Sequence, residues 1–148
     1  MVAIGYRNKA VVIYLYLMAA RRIKKQRHLQ DSGDNYTYDV FLSYSHLDCD
    51  WVIGSLFQYL TQELSLQVCM YQKDFIPGES IAEEILRSID SSRKSVFVIT
   101  RNFLESKWSM FEMELARQHV FMNDSDTILI ILKDDIQVHE LPNLLKKI

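Results

Sequence analysis

A chain of 148 residues, 49% apolar, 24% charged and 11% aromatic, has the composition of an average globular domain, which excludes disorder and low complexity as descriptions of the whole. Its net charge of −2 is unevenly spread: residues 1–30 carry Arg7, Lys9, Arg21, Arg22, Lys24, Lys25 and Arg27 and no acid, whereas all 19 Asp and Glu lie in residues 31–148. So acidic a body matches nucleic-acid phosphates poorly, and no nucleic-acid partner is expected.

Ala10 to Ala20 is an uninterrupted apolar run followed at once by RRIKKQR. At a helical rise of about 1.5 Å per residue it covers about 16 Å, short of the roughly 30 Å hydrocarbon core of a bilayer. Extending it back to Met1 reaches spanning length but includes Arg7 and Lys9, each costly near mid-bilayer. Three readings stay open: a secretory signal, a membrane anchor or inner end of a spanning helix, and a terminal helix or arm with no membrane role. Residues 1–30 are thus an apolar run plus basic arm, the polar stretch 31–35 a linker, and 36–148 the folded domain.

Tyr38–Ser43 is rich in β-branched and aromatic residues and reads as a strand. From Asp48 onward, Val52, Leu56, Tyr59, Leu60 and Leu64 recur at steps of three and four, one apolar face of a helix. Leu66–Tyr71 returns to strand character, and Gln72–Glu79 is a loop punctuated by Pro77-Gly78. Ser80 and Glu83 have the spacing of a capping box, ahead of a helix whose buried stripe is Ile81, Ile85, Leu86 and Ile89. Ser95–Thr100 and Thr127–Leu132 are near-continuous apolar runs, expected of strands covered on both faces. Between them Asn102–Asn123 reads as mostly helical, and Glu140–Ile148 begins a further helix. Alternating strands and helices imply right-handed crossovers and a parallel sheet with helices on both faces. The working surface of such a sheet is the set of loops beyond its carboxyl edge, here Tyr44–Leu47, Tyr71–Glu79 and Arg101–Ser106.

Several chemistries drop out. The four glycines are isolated, so neither a dinucleotide fingerprint nor a P-loop is present. The third strand ends in Ile99-Thr100 and the first in Ser43-Tyr44, where a phospho-acceptor receiver needs carboxylates. Ser43, Ser45 and His46 are near-neighbours whose side chains diverge on a strand end, a poor basis for a hydrolytic pair. His28, His46, His119 and His139 show no metal-ligand spacing, so no metal site is expected. Cys49 and Cys69 read as two reduced thiols. The loop DFIPG stands out, because Phe75 and Ile76 interrupt a polar connection beside a Pro-Gly turn. Two readings stay open for them, a stiff protruding docking element or a cover folded back on the core.

Three segments, YDVFLSYSHLD (Tyr38–Asp48), KDFIPGESI (Lys73–Ile81) and SVFVITRNFLESKWSMFEMEL (Ser95–Leu115), together resemble Toll/interleukin-1 receptor (TIR) domains, most closely those of Toll-like receptors. The resemblance implies a flavodoxin-like parallel sheet with helices on both faces. It also implies an innate-immune-type signalling module, without a cofactor, that assembles with other TIR domains of receptors or adaptors as homo- or hetero-assemblies. Contact would be through the family's BB loop, here Tyr71–Glu79, with Asp74, Phe75, Ile76, Pro77 and Gly78 matching the family pattern. Box 1 matches at Tyr38, Asp39, Phe41, Ser43, Tyr44 and Ser45, mostly structural positions. The basic arm resembles the inner membrane boundary of those receptors, so anchoring through residues 1–30 and a location at the cytosolic face of a membrane, or in the cytoplasm, are expected. The family's third box, a Phe-Trp pair, is absent from the chain as it stands. The domain is therefore expected to be C-terminally truncated, lacking its last strand and helix and leaving the fourth strand an unprotected edge. Some similar TIR domains hydrolyse NAD with a glutamate matched here by Glu112. That is the alternative reading, and the only one with a cofactor. Against it, Ser109–Glu112 has capping-box spacing, a structural use for the carboxylate.

Overall fold

The computed structural model describes residues 3–5, 36–70, 80–123 and 128–143. Its centre is a five-stranded, wholly parallel sheet of β1 (Ala3–Gly5), β2 (Tyr38–Ser43), β3 (Val68–Met70), β4 (Ser92–Ile99) and β5 (Ile128–Leu132), in the order β1-β5-β4-β2-β3. Four of these strands coincide with the strand-like segments of the sequence to within a few residues.

The continuous apolar runs arise because each central strand feeds two cores. Phe41 of β2, Phe97 and Ile99 of β4, and Ile128, Ile130 and Leu132 of β5 point to one face. Val40 and Leu42, Val96 and Val98, and Leu129 and Ile131 point to the other. With a side-chain period of two, burial on both faces leaves no position for polar alternation. The first core is closed by α2 (Ile81–Asp90), α3 (Arg101–Glu105) and α4 (Lys107–Asn123). Phe41, Phe97 and Phe103 form its centre as successive edge-to-face contacts with centroids 6.4 Å apart.

The second core is closed by the first helix, which opens with an α-turn, α1 (Cys49–Trp51), and continues as two π-helical stretches, Val52–Phe57 and Tyr59–Glu63. The spacing explains this register. Val52, Leu56, Leu60 and Leu64 are all buried and recur every four residues. In an α-helix with 3.6 residues per turn that stripe drifts by about 40° per step. The wider π turn drifts the other way, so mixing the two keeps all four side chains on the sheet. Ser65 then takes a left-handed conformation (φ 54°), and the Leu66 N–H returns to the Leu60 carbonyl at 3.0 Å to close the helix.

Several expectations are corrected. Ser80 occupies the N-cap of α2 with extended backbone, but its side chain makes no capping hydrogen bond, so the Ser80–Glu83 box is not formed. The helical stretch 102–123 is broken at Ser106, with separate caps. Thr100 Oγ1 accepts from the Phe103 N–H at 3.0 Å, and Ser106 Oγ accepts from the Ser109 N–H at 3.2 Å. The outer side of β5 is not bare, because Ala3–Gly5 pairs with it in register Ala3↔Ile130, Ile4↔Ile131 and Gly5↔Leu132. A 3-10 turn, Val138–Glu140, leads toward the expected C-terminal helix, Asn143 is helical, and the rest of that helix lies outside the described residues. The apolar run 10–20 also lies outside it. Among the described residues no helix is long and apolar enough to cross a membrane.

Candidate functional site

The parallel sheet brings the carboxyl ends of β2, β4 and β5 to one rim, since Ser43 registers with Phe97 and Ile99 with Leu132. At the end of β2, Ser43 turns its hydroxyl inward and donates to Glu112 Oε2, which reaches it from the second turn of α4. Both are buried, Glu112 to 2% exposure. Glu112 is therefore an interior acceptor under the β2 exit and not the wall of an open cleft. It also does not complete a capping box with Ser109, whose hydroxyl instead reaches Ser106 Oγ at 3.0 Å. Next to it, Tyr44 is half-buried, and its phenol is pushed up from the usual value by burial first, then by Cys49 and by the Glu112 charge. Cys49 and Cys69 are both free. Ser45 is buried and its carbonyl accepts from the Asp48 N–H at 2.8 Å, whereas His46 is exposed, so Ser43, Ser45 and His46 do not come together as a reactive group.

A second cluster locks this turn to the next rim loop. Asp48 is buried and accepts from Thr100 Oγ1 at 2.5 Å through Oδ2 and from Asn102 Nδ2 at 3.0 Å through Oδ1. Thr100 thus donates to Asp48 while capping α3, so one hydroxyl ties the β2 exit to the β4 exit. A third cluster joins the loop after β5. Asp134 Oδ2 accepts from the Arg101 N–H at 2.8 Å, and the Arg101 guanidinium reaches Glu140 Oε1 at 3.0 Å and the Asp135 carbonyl at 3.1 Å. Glu140 Oε2 also accepts from the Gln137 N–H at 2.7 Å, and that bond, followed by Arg101, holds its carboxyl below the usual carboxylate value. Lys133 Nζ lies 4.9 Å from the Trp51 ring centroid.

The box 1 residues divide between two ends of the sheet. At the opposite end, Asp39 is buried and accepts from the Gln67 N–H at 2.9 Å, with Arg93 Nε 3.8 Å away and its guanidinium 5.4 Å from the Tyr36 ring. The Tyr38 N–H bonds the Ser91 carbonyl at 2.9 Å, and Phe41 is fully buried. These three hold β2 in place, while Ser43, Tyr44 and Ser45 build the rim. Asp74, Phe75, Ile76, Pro77 and Gly78 lie outside the described residues. Among the described residues no group of three metal-ligating side chains occurs.

Sequence reasoning missed the roles of Asp48, Thr100 and Arg101. One signal was available: Thr100 and Ser106 each stand just before a helical stretch, the position of an N-cap. It also missed the outer face of α4, where Phe111, 41% exposed, stacks on Trp108 at 5.8 Å and Phe121 and Met122 are 81% and 80% exposed.

A parallel α/β domain whose rim loops are tied together by the buried Asp48 and by Arg101, with a hydroxyl-held glutamate beneath them, is a flavodoxin-like module. More specifically, the chain belongs to the TIR domain family, whose model matches residues 37–148. Human Toll-like receptor 6 is 34% identical over 128 residues, covering 86% of this chain and 16% of that protein. Chicken Toll-like receptor 2 type-2 is 31% identical over 147 residues, covering 96% and 18%. The crystal structure of the TIR domain of the Toll-related receptor TRR-2 from Hydra magnipapillata shares the fold with a TM-score of 0.59 at 24% identity, covering 74% of this chain and 79% of that one. The chain spans about one sixth of the length of the curated relatives it matches.

Proposed function

We propose that this chain is a cytosolic signalling module of Toll-like receptor type that acts by assembling with other TIR domains, of receptors or adaptors, through the loop 71–79. The observation that carries this reading is the family match, which extends over residues 37–148 alongside Toll-like receptor relatives. The physical arrangement supports it. Two rim loops are tied through Asp48 to Thr100 and Asn102, and a third is tied through Arg101. The loop 71–79 carries the apolar residues Phe75 and Ile76 beside Pro77-Gly78, the residue types that a contact between modules would use, since a turn held by proline loses less entropy on association. Such a module works by surface complementarity and needs no cofactor, and the burial of Glu112 against Ser43 favours a structural use of that carboxylate over NAD hydrolysis.

Pro77→His is expected to abolish co-assembly with a partner TIR domain in gel filtration while leaving the far-UV spectrum and thermal midpoint unchanged. Undiminished co-assembly of the folded variant would remove the loop from the mechanism. In the same preparation, incubation with NAD is expected to release no nicotinamide, and turnover that Glu112→Ala abolishes would establish the alternative. We place the module at the cytosolic face of a membrane, anchored through residues 1–30. Fractionation of the chain with and without those residues tests this, and identical partitioning of the two forms would refute it.

A further inference from the structure

The outer face of the first helix carries a glycine that the fold does not use. Val52, Leu56, Leu60 and Leu64 turn inward, whereas Asp50, Gly54 and Gln58, each two residues from a buried one, are exposed. Glycine within a helix is unfavourable relative to alanine, yet a Cβ at Gly54 would meet nothing within 4 Å. No close approach among the described residues accounts for the missing side chain. The surface around it is apolar: Leu47 is 77% exposed, Ile53 is exposed, and Trp51 is half-buried with the Lys133 ammonium over its ring. Leu47 is also firmly mounted. Its turn is closed by the Asp48 N–H on the Ser45 carbonyl, and the Asp48 carboxylate is fixed by Thr100 and Asn102.

We propose that this face is a contact with a second copy of the chain, in which two first helices cross antiparallel about a two-fold axis near residues 50 and 51. Leu47 and Gly54 lie seven residues apart, on either side of that axis, so each Leu47 enters the gap left by the missing side chain of the partner's Gly54. A two-fold contact requires such self-complementarity. The charges match as well. The same pairing brings the exposed Asp50 of each copy to the partner's Trp51, where Lys133 lies over the ring, so two opposite-charge pairs form across the axis. A rigid apolar anchor seated in a notch beside a tryptophan has the make-up of an interface hot spot. The contact is separate from the loop 71–79, and so does not depend on how that loop functions.

The test uses the full chain carrying Pro77→His, which removes association through the loop, studied by analytical ultracentrifugation over rising concentration. A dimer is expected. Adding Gly54→Leu fills the notch and adding Leu47→Asp removes the knob, both outside the core, and each should weaken the dimer by about tenfold or more with the circular dichroism of the folded domain retained. Asp50→Lys and Lys133→Asp should each weaken it too, and the two together should restore it, a recovery that a purely structural role of either residue would not produce. A dimer indifferent to Gly54→Leu and Leu47→Asp overturns the proposal, as does a charge exchange without recovery. So does a chain that stays monomeric up to its solubility limit, and loss of co-assembly with a different TIR domain on Gly54→Leu alone would then assign the face to that partner instead.

Discussion

Two buried carboxylates set the character of the rim. Asp48 is an acceptor for two side chains, and Thr100 serves it while also capping α3. Removing either member leaves buried polar groups without partners, and each such group costs about 1–3 kcal/mol. Thr100→Val, which loses a cap as well, is expected to lower unfolding free energy by about 2 kcal/mol in a urea titration. A loss below about 0.5 kcal/mol would mean that water replaces the hydroxyl without penalty. Glu112 is a parallel case. Glu112→Ala leaves the Ser43 hydroxyl unsatisfied beside a new cavity and is expected to cost about 3 kcal/mol, whereas Glu112→Gln keeps an acceptor and should cost about 1. Equal effects of the two variants would show that the Ser43 contact contributes nothing. None of this was legible in residue order, since Glu112 meets Ser43 across a sequence separation of 69 and Asp48 meets Thr100 across one of 52.

Among the elements, the first helix shows how far a pattern carries. The steps of Val52, Leu56, Leu60 and Leu64 announced an apolar face. Their strict four-residue interval also held the reason for the π register, although periodicity near 3.6 conceals the difference over a few turns. Gly54 sits on the exposed side of this helix, and a Cβ placed there meets nothing within 4 Å. Gly54→Ala is therefore expected to stabilise the domain by about 0.5–1 kcal/mol, by reducing the freedom of the unfolded chain. A destabilised variant would show that glycine's backbone freedom is used in the π turn. The loop after β5 responds to acid. Glu140 is held below its ordinary value, so the stability it contributes is complete above that ordinary value and is lost as pH falls through the lowered one. Exchange of the Gln137 amide should accelerate over that acid window and lose the pH step in Glu140→Gln. A step that persists in the variant would place the titration on another group.

For the whole molecule, the proposed function depends on which surfaces the topology leaves available. Strand order β1-β5-β4-β2-β3 puts the exits of β2, β4 and β5 on one rim and turns Glu112 inward beneath them. It also leaves Phe121 and Met122 exposed at the far end of α4. A double Phe121→Ser, Met122→Ser variant is expected to stay within about 0.5 kcal/mol of the parent, because neither side chain is buried on folding. A larger loss measured by thermal unfolding would show that these side chains pack in solution. The alternation of strand and helix, the two-faced burial of β2, β4 and β5, and the family resemblance were all fixed by local order, because strand period, helix period and contiguous motifs are short-range properties of a chain. The partners of Ser43, Asp48 and Arg101, the inward turn of Glu112 and the seating of Ala3–Gly5 on β5 were decided only by the tertiary structure. Those contacts join residues far apart in sequence, and only the packing of helices on both faces of the assembled sheet fixes which polar groups must satisfy one another away from water.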